Sequence, residues 1–132
     1  MCARRWQMTH GVSDRRETGV SGEDIAAVHL ARRGWLIVAR NWRCRSGEID
    51  IIARDPDGVL VVVEVKTRRG LGFGDPLESL TYAKVRRLKG LAMEWVRSQE
   101  DAVGPVRLDA IGVLLDADAA PRLRHVRNLE QP

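Results

Sequence analysis

Cysteine is nearly absent from this chain of 132 residues, which holds only Cys2 and Cys44. Neither belongs to a CxxC pair or a Cys/His ligand spacing. That excludes a disulfide scaffold and a structural zinc site, and it points to a reduced, cytoplasmic chain with two incidental thiols. Long apolar runs are also missing. No stretch approaches the ~20 residues needed to span a bilayer, so no membrane partner is expected. The first twenty residues carry paired arginines, Arg4-Arg5 and Arg15-Arg16, without the apolar core of a secretory signal. Lysine is scarce as well. Of 22 basic residues only Lys66, Lys84 and Lys89 are lysine. A chain that uses arginine wherever surface charge suffices gives weight to a lysine placed inside an apolar strand. An ammonium is a compact donor with a tunable pKa, which guanidinium is not.

What remains is an ordinary globular composition, 44% hydrophobic and 30% charged, with a net charge of +4. Such a chain suits one domain with a real core. Its modest positive excess permits a polyanion partner without requiring one. Residues 1–20 read as a poorly ordered basic arm, and residues 21–132 as a single domain. Ser21 with Asp24 predicts a capped helix ending at Gly34. Trp35 to Arg40 predicts a short strand, Asn41 to Ser46 a polar connection, and Glu48 to Arg54 a second strand. Asp55-Pro-Asp-Gly58 is a turn signal, and Val59 to Thr67 reads as the central strand of an antiparallel hairpin. A glycine-rich loop over 69–76 precedes a long helix predicted from Leu77 to Gln99. Strands follow over Val106 to Leu115 and Leu123 to Asn128. The order α-β-β-β-α-β-β implies an α/β fold with a mixed sheet flanked by helices.

Charge inside the two hairpin strands carries the chemistry. Glu64 and Lys66 share a strand face by alternation, and Asp50 sits as far from residue 57 as Glu64 does, so the two acids oppose each other. Adjacent carboxylates repel unless a cation lies between them. Mg²⁺ or Mn²⁺ is a suitable occupant, held by Asp50, Glu64 and the Val65 carbonyl if the strand bends there. Such a cation polarises a phosphodiester, while Lys66 could orient or deprotonate the attacking water. Glu23 adds a third carboxylate if the first helix packs across the sheet.

Asp50 followed by Glu64-Val65-Lys66 resembles the PD-(D/E)XK nuclease pattern. With Gly22-Glu23, Gly34, Asn41-Trp42-Arg43, Gly47-Glu48-Ile49-Asp50, Val63 to Arg68, Lys84 and Val106 to Asp109, residues 21 to 129 resemble the YraN-like uncharacterised family. That family is similar in fold to archaeal Holliday-junction resolvases. The resemblance implies a restriction-endonuclease-like fold with Glu23, Asp50, Glu64 and Lys66 as the catalytic set. It implies cleavage of DNA, branched or damaged DNA among the substrates.

Each feature also has a plainer reading. Asp50 alone suits a solvent-facing strand edge, Glu64 with Lys66 an exposed ion pair worth about 0–1 kcal/mol, and Glu23 a helix-dipole partner. Glu48 shares a face with Asp50 if alternation is strict, though a salt bridge suits it better. Arg43, Arg45, Arg68, Arg69 and Lys84 are either phosphate contacts or solvated surface. Trp42 and Trp6 are the candidates for stacking on bases, with Trp35 and Trp95 assigned to the core. His10, His29 and His125 receive no chemistry, and Asp109 is expected to be structural. A two-fold dimer would suit symmetric cutting of two strands. The rival function is a nucleic-acid-binding or accessory module of a DNA-processing assembly, with the fold but negligible cleavage.

Overall fold

A computed structural model describes residues 21–70 and 74–130. The expected basic arm, with Trp6, Cys2 and His10, lies outside the described residues. Helix α1 (Gly22–Arg32) is followed by β1 (Leu36–Cys44), β2 (Gly47–Arg54) and β3 (Leu60–Arg69). A 3₁₀ turn (Pro76–Ser79) leads into α2 (Tyr82–Arg97), and β4 (Val106–Asp116) and β5 (Ala119–Val126) complete the order. The strands form one mixed sheet in the sequential order β1-β2-β3-β4-β5. Neighbours pair antiparallel except β3 with β4, which run parallel because α2 carries the chain back across the sheet. The order and the central place of β3 agree with the sequence expectation. No helix among the described residues is long and apolar enough to cross a membrane.

Each face of the sheet is covered by one helix. Leu60 and Val62 of β3 pack with Leu88, Leu91 and Trp95 of α2. Val61 and Val63 pack with Ala26, Ala27 and Leu30 of α1. This is the period-two pattern of a strand buried on both faces.

Helix α1 starts where its sequence says. The Ser21 side chain accepts the Asp24 N–H and the Asp24 carboxylate accepts the Ser21 N–H, a reciprocal cap. Gly22 then lies flat on β3, since a Cβ there would come within 1.9 Å of the Thr67 hydroxyl oxygen. The missing side chain lets the first helical turn, which carries Glu23, settle against β3. Gly22→Ala is therefore expected to destabilise the fold by at least about 1–3 kcal/mol, the usual cost of overpacking, read as a lower urea midpoint at unchanged m-value.

Three boundaries differ from the sequence reading by four residues or more. Strand β1 continues through Asn41 to Cys44, because a two-residue turn over 45–46 closes directly onto Gly47. The long helix does not begin at Leu77. Asp75 caps a 3₁₀ turn, Leu80 is extended, and Thr81 accepts the Lys84 N–H to cap a separate helix. Strand β5 begins at Ala119, four residues earlier than expected, since its pairing with β4 starts at Asp116↔Ala119.

Candidate functional site

The hairpin register brings the acidic residues together. Paired residues run from Arg54↔Leu60 to Ile51↔Val63. Continuing that register sets Asp50 opposite Glu64, where the two strands part. There the Val65 N–H donates to Asp50 Oδ2 at 2.8 Å, so a side chain replaces the next rung of the ladder. Along β3 the residues Leu60 to Val63 are fully buried, whereas Glu64, Val65 and Lys66 are half-buried. Lys66 Nζ lies 3.1 Å from Glu64 Oε2. By alternation this pair continues the row of Leu60 and Val62 on the α2 face.

Strict alternation fails in β2. Ile49 and Ile52 both enter the core under α2, while Ile51 enters the core under α1. The same break occurs in β1, where Ala39 and Trp42 both face α2. The two breaks lie side by side: the register steps from Arg40↔Ile51 to Trp42↔Ile49, and Asn41 between them has φ +52°. Asp50 therefore occupies a local twist. Glu48 does not join it across a common face and instead pairs with Arg43 at 2.6 Å on the surface.

Glu23 comes to the cluster from α1, yet it is already engaged. Arg40 Nε and Nη2 donate to Glu23 Oε1 at 3.0 and 2.8 Å, and Nη2 also donates to Asp24 at 2.7 Å. The guanidinium is 4% exposed. Arg40 and Asp24 belong to the site and were not among the candidates from sequence. The signal was present, because Arg40 is a charge closing an apolar strand, the same anomaly that marks Asp50.

These neighbours act on Asp50. Burial first, then the charge of Glu64, that of Glu23 and a hydrogen bond shared with Glu64 push its carboxyl up to about 8, against the lowering effect of the Val65 N–H. Such a group holds a proton at neutral pH unless a cation takes the proton's place. Among the described residues no group of three or more His, Cys, Asp or Glu side chains stands ready to hold a metal. With Glu23 committed to Arg40, the donor set is two carboxylates and nearby backbone.

The remaining candidates are spread around this cluster. Arg43, Arg45, Arg69 and Lys84 are exposed, and Arg68 is half-buried. Trp42 cannot stack on a base as expected: it is 1% exposed, carried into the core by the break at Asn41. Its indole N–H has no partner among the described residues. Trp35 and Trp95 are buried, as expected of core residues. Asp109 is fully buried and structural. It accepts from Arg107, from the Asn128 N–H and across 2.9 Å from His125, which sequence reasoning had left without a role.

Residues 22–113 match the family described as "Uncharacterised protein family UPF0102". A UPF0102 protein of Clavibacter michiganensis is 50% identical over 113 residues, covering 86% of this chain and 95% of that protein. One from Renibacterium salmoninarum is also 50% identical over the same shares. One from Acidothermus cellulolyticus is 47% identical over 130 residues, 91% of this chain and 98% of the relative.

Proposed function

We propose that this chain, which belongs to the uncharacterised protein family UPF0102, is a cytoplasmic endonuclease that uses Mg²⁺ or Mn²⁺ to hydrolyse phosphodiesters in DNA, branched or damaged DNA included. The observation that carries this reading is the Asp50 carboxyl, half-buried beside Glu64 where β2 and β3 part, and within the fields of Glu64 and Glu23. Among the described residues Arg40 pairs with Glu23 and Asp24, and Lys66 with Glu64, while the charges of Glu64 and Glu23 bear on Asp50. Two carboxylates in each other's field suit a divalent cation, which would displace the proton from Asp50.

The donor chemistry fits. Asp50 and Glu64 offer hard oxygen ligands, and the Val65 carbonyl leaves β3 on the same edge as the N–H that reaches Asp50. A cation held there supplies charge neutralisation and Lewis-acid polarisation of a phosphoryl oxygen. Lys66 Nζ is close enough to Glu64 to lie at that site. It would orient the attacking water and donate to the oxygen that gains charge. Glu23, gripped by Arg40, would act through its field on Asp50. Arg43, Arg68 and Lys84 would hold backbone phosphates without reading sequence, and a two-fold dimer would place two such sites on two strands.

Calorimetry with Mn²⁺ tests the reading directly. Binding to the wild-type chain is expected, with affinity at least tenfold weaker in Asp50→Asn, which keeps the shape and removes the charge. Equal heats from both proteins would remove the cation site from the proposal. Arg40's hold on Glu23 favours one alternative, a DNA-binding module with negligible cleavage. That module would bind duplex, flap and four-way DNA in a salt-sensitive manner and cut none of them with either metal.

A further inference from the structure

The aromatic side chains among the described residues divide sharply. Trp35, Trp42 and Trp95 are 5%, 1% and 4% exposed, whereas Tyr82 is 78% exposed. Tyr82 opens α2 and borders a groove of about 790 Å³ between that helix and the C-terminal segment. The apolar lining includes Leu80, Val85 and Leu129. The Arg86 guanidinium sits 5.9 Å from the centre of the Tyr82 ring. Farther along, Lys89 pairs with Glu130 at 2.7 Å. From Ser79 to Met93 the chain carries Lys84, Arg86, Arg87 and Lys89 and no acid.

We propose that this groove receives an unpaired nucleotide of a DNA strand, its base stacked on Tyr82 and its phosphate facing Arg86 and the basic surface of α2. The inference rests on the nucleic-acid partner proposed above and narrows the substrate to DNA with a single-stranded or extruded segment. The volume is that of a small-ligand site, with apolar lining and few polar groups. An exposed ring stacks on any base, because every base offers a π face, and a guanidinium on the ring adds a cation–π contact and a phosphate donor. A paired base inside a duplex cannot reach such a ring. At the far rim Lys89 and Glu130 compensate each other, which leaves Arg86 as the phosphate donor of the groove. The groove lies against α2, on the sheet face to which Glu64 and Lys66 belong by alternation.

The test is fluorescence anisotropy with labelled single-stranded and blunt duplex oligonucleotides of one sequence, in chelator, so that cleavage plays no part. Single-stranded DNA is expected to bind tighter than duplex. Tyr82→Ala should lose roughly tenfold on the single strand and little on the duplex, while Tyr82→Phe keeps the wild-type affinity. Arg86→Ala should weaken binding and flatten its dependence on salt. Unchanged affinity in Tyr82→Ala, an equal loss on duplex, or no binding of nucleic acid by the wild type would each overturn the groove assignment. Binding that behaves as expected in a protein that cuts nothing when metal is restored would retain the groove and remove the nuclease reading instead.

Discussion

Asp50→Asn and Lys66→Ala should each lower divalent-dependent DNA cleavage by about 10²–10⁴-fold, the scale of a lost acid–base or charge-stabilising group. Asp50→Asn should at the same time make the fold more stable. Burial and the charge of Glu64 raise the Asp50 carboxyl to about 8, far above its value in an unfolded chain. Between about pH 4 and pH 8 the folded state thus holds more protons than the unfolded state, and stability falls as pH rises through that window. Asparagine removes the effect and can still accept from the Val65 N–H. The two proteins should melt together near pH 4 and diverge toward pH 8, with the variant higher by several degrees, at roughly 4 °C or more per kcal/mol. Divalent cation should narrow the gap by raising the wild type alone. A wild-type melting temperature equal to the variant's at pH 8 would mean that Asp50 is not under electrostatic load. Cleavage surviving either substitution would take the residue out of the site.

Asp109→Ala should cost about 3–5 kcal/mol in urea unfolding, the range for removing one partner of a buried ion pair. The carboxylate is inaccessible and binds Arg107 through two oxygens, His125 from β5 and the Asn128 N–H. Arg107 also reaches Asp55 at 2.9 Å, so one guanidinium ties the β2–β3 turn to β4. Alanine leaves that guanidinium half-compensated and the Asn128 N–H unpaired. Despite burial, the hydrogen bonds from His125 and Arg107 hold the Asp109 carboxyl down to about 2. Its contribution is present above the unfolded value and is lost as pH falls from about 4 toward about 2. The wild type should therefore lose stability in that acid range more steeply than Asp109→Ala. Parallel acid-unfolding curves would show that the network is not the cause.

Local chemistry made much of this molecule readable in advance. Ser21 with Asp24 marked the first helix, Asp55-Pro-Asp-Gly58 set the hairpin, and equal distance from that turn placed Asp50 opposite Glu64. The errors came from longer-range effects. Trp42 falls in a stretch that reads as a polar connection, but β1 runs through it and the backbone at Asn41, φ +52°, turns the indole into the core. Glu48 makes the salt bridge that suited it, with Arg43. The clasp of Arg40 on Glu23 joins residues 17 apart, and no spacing rule pairs a strand arginine with a helix carboxylate. The true start of α2 was legible in Thr81, a cap residue, but the apolar residues Leu77 and Leu80 extended the helical pattern past it.

The parallel seam between β3 and β4 has a kinetic consequence. β3 finds β2 across a tight turn, but its other edge, Leu60 onward, waits for Val106 and the residues after it. Until α2 has formed and carried the chain back, that edge presents a run of valines with open backbone groups, the kind of segment that recruits other chains. Glu64 and Lys66 end the run with two charges. The side chains proposed for the chemistry of the site thus also act as gatekeepers during folding. Neutralising both together should raise the yield of aggregate on refolding even where the folded protein is more stable.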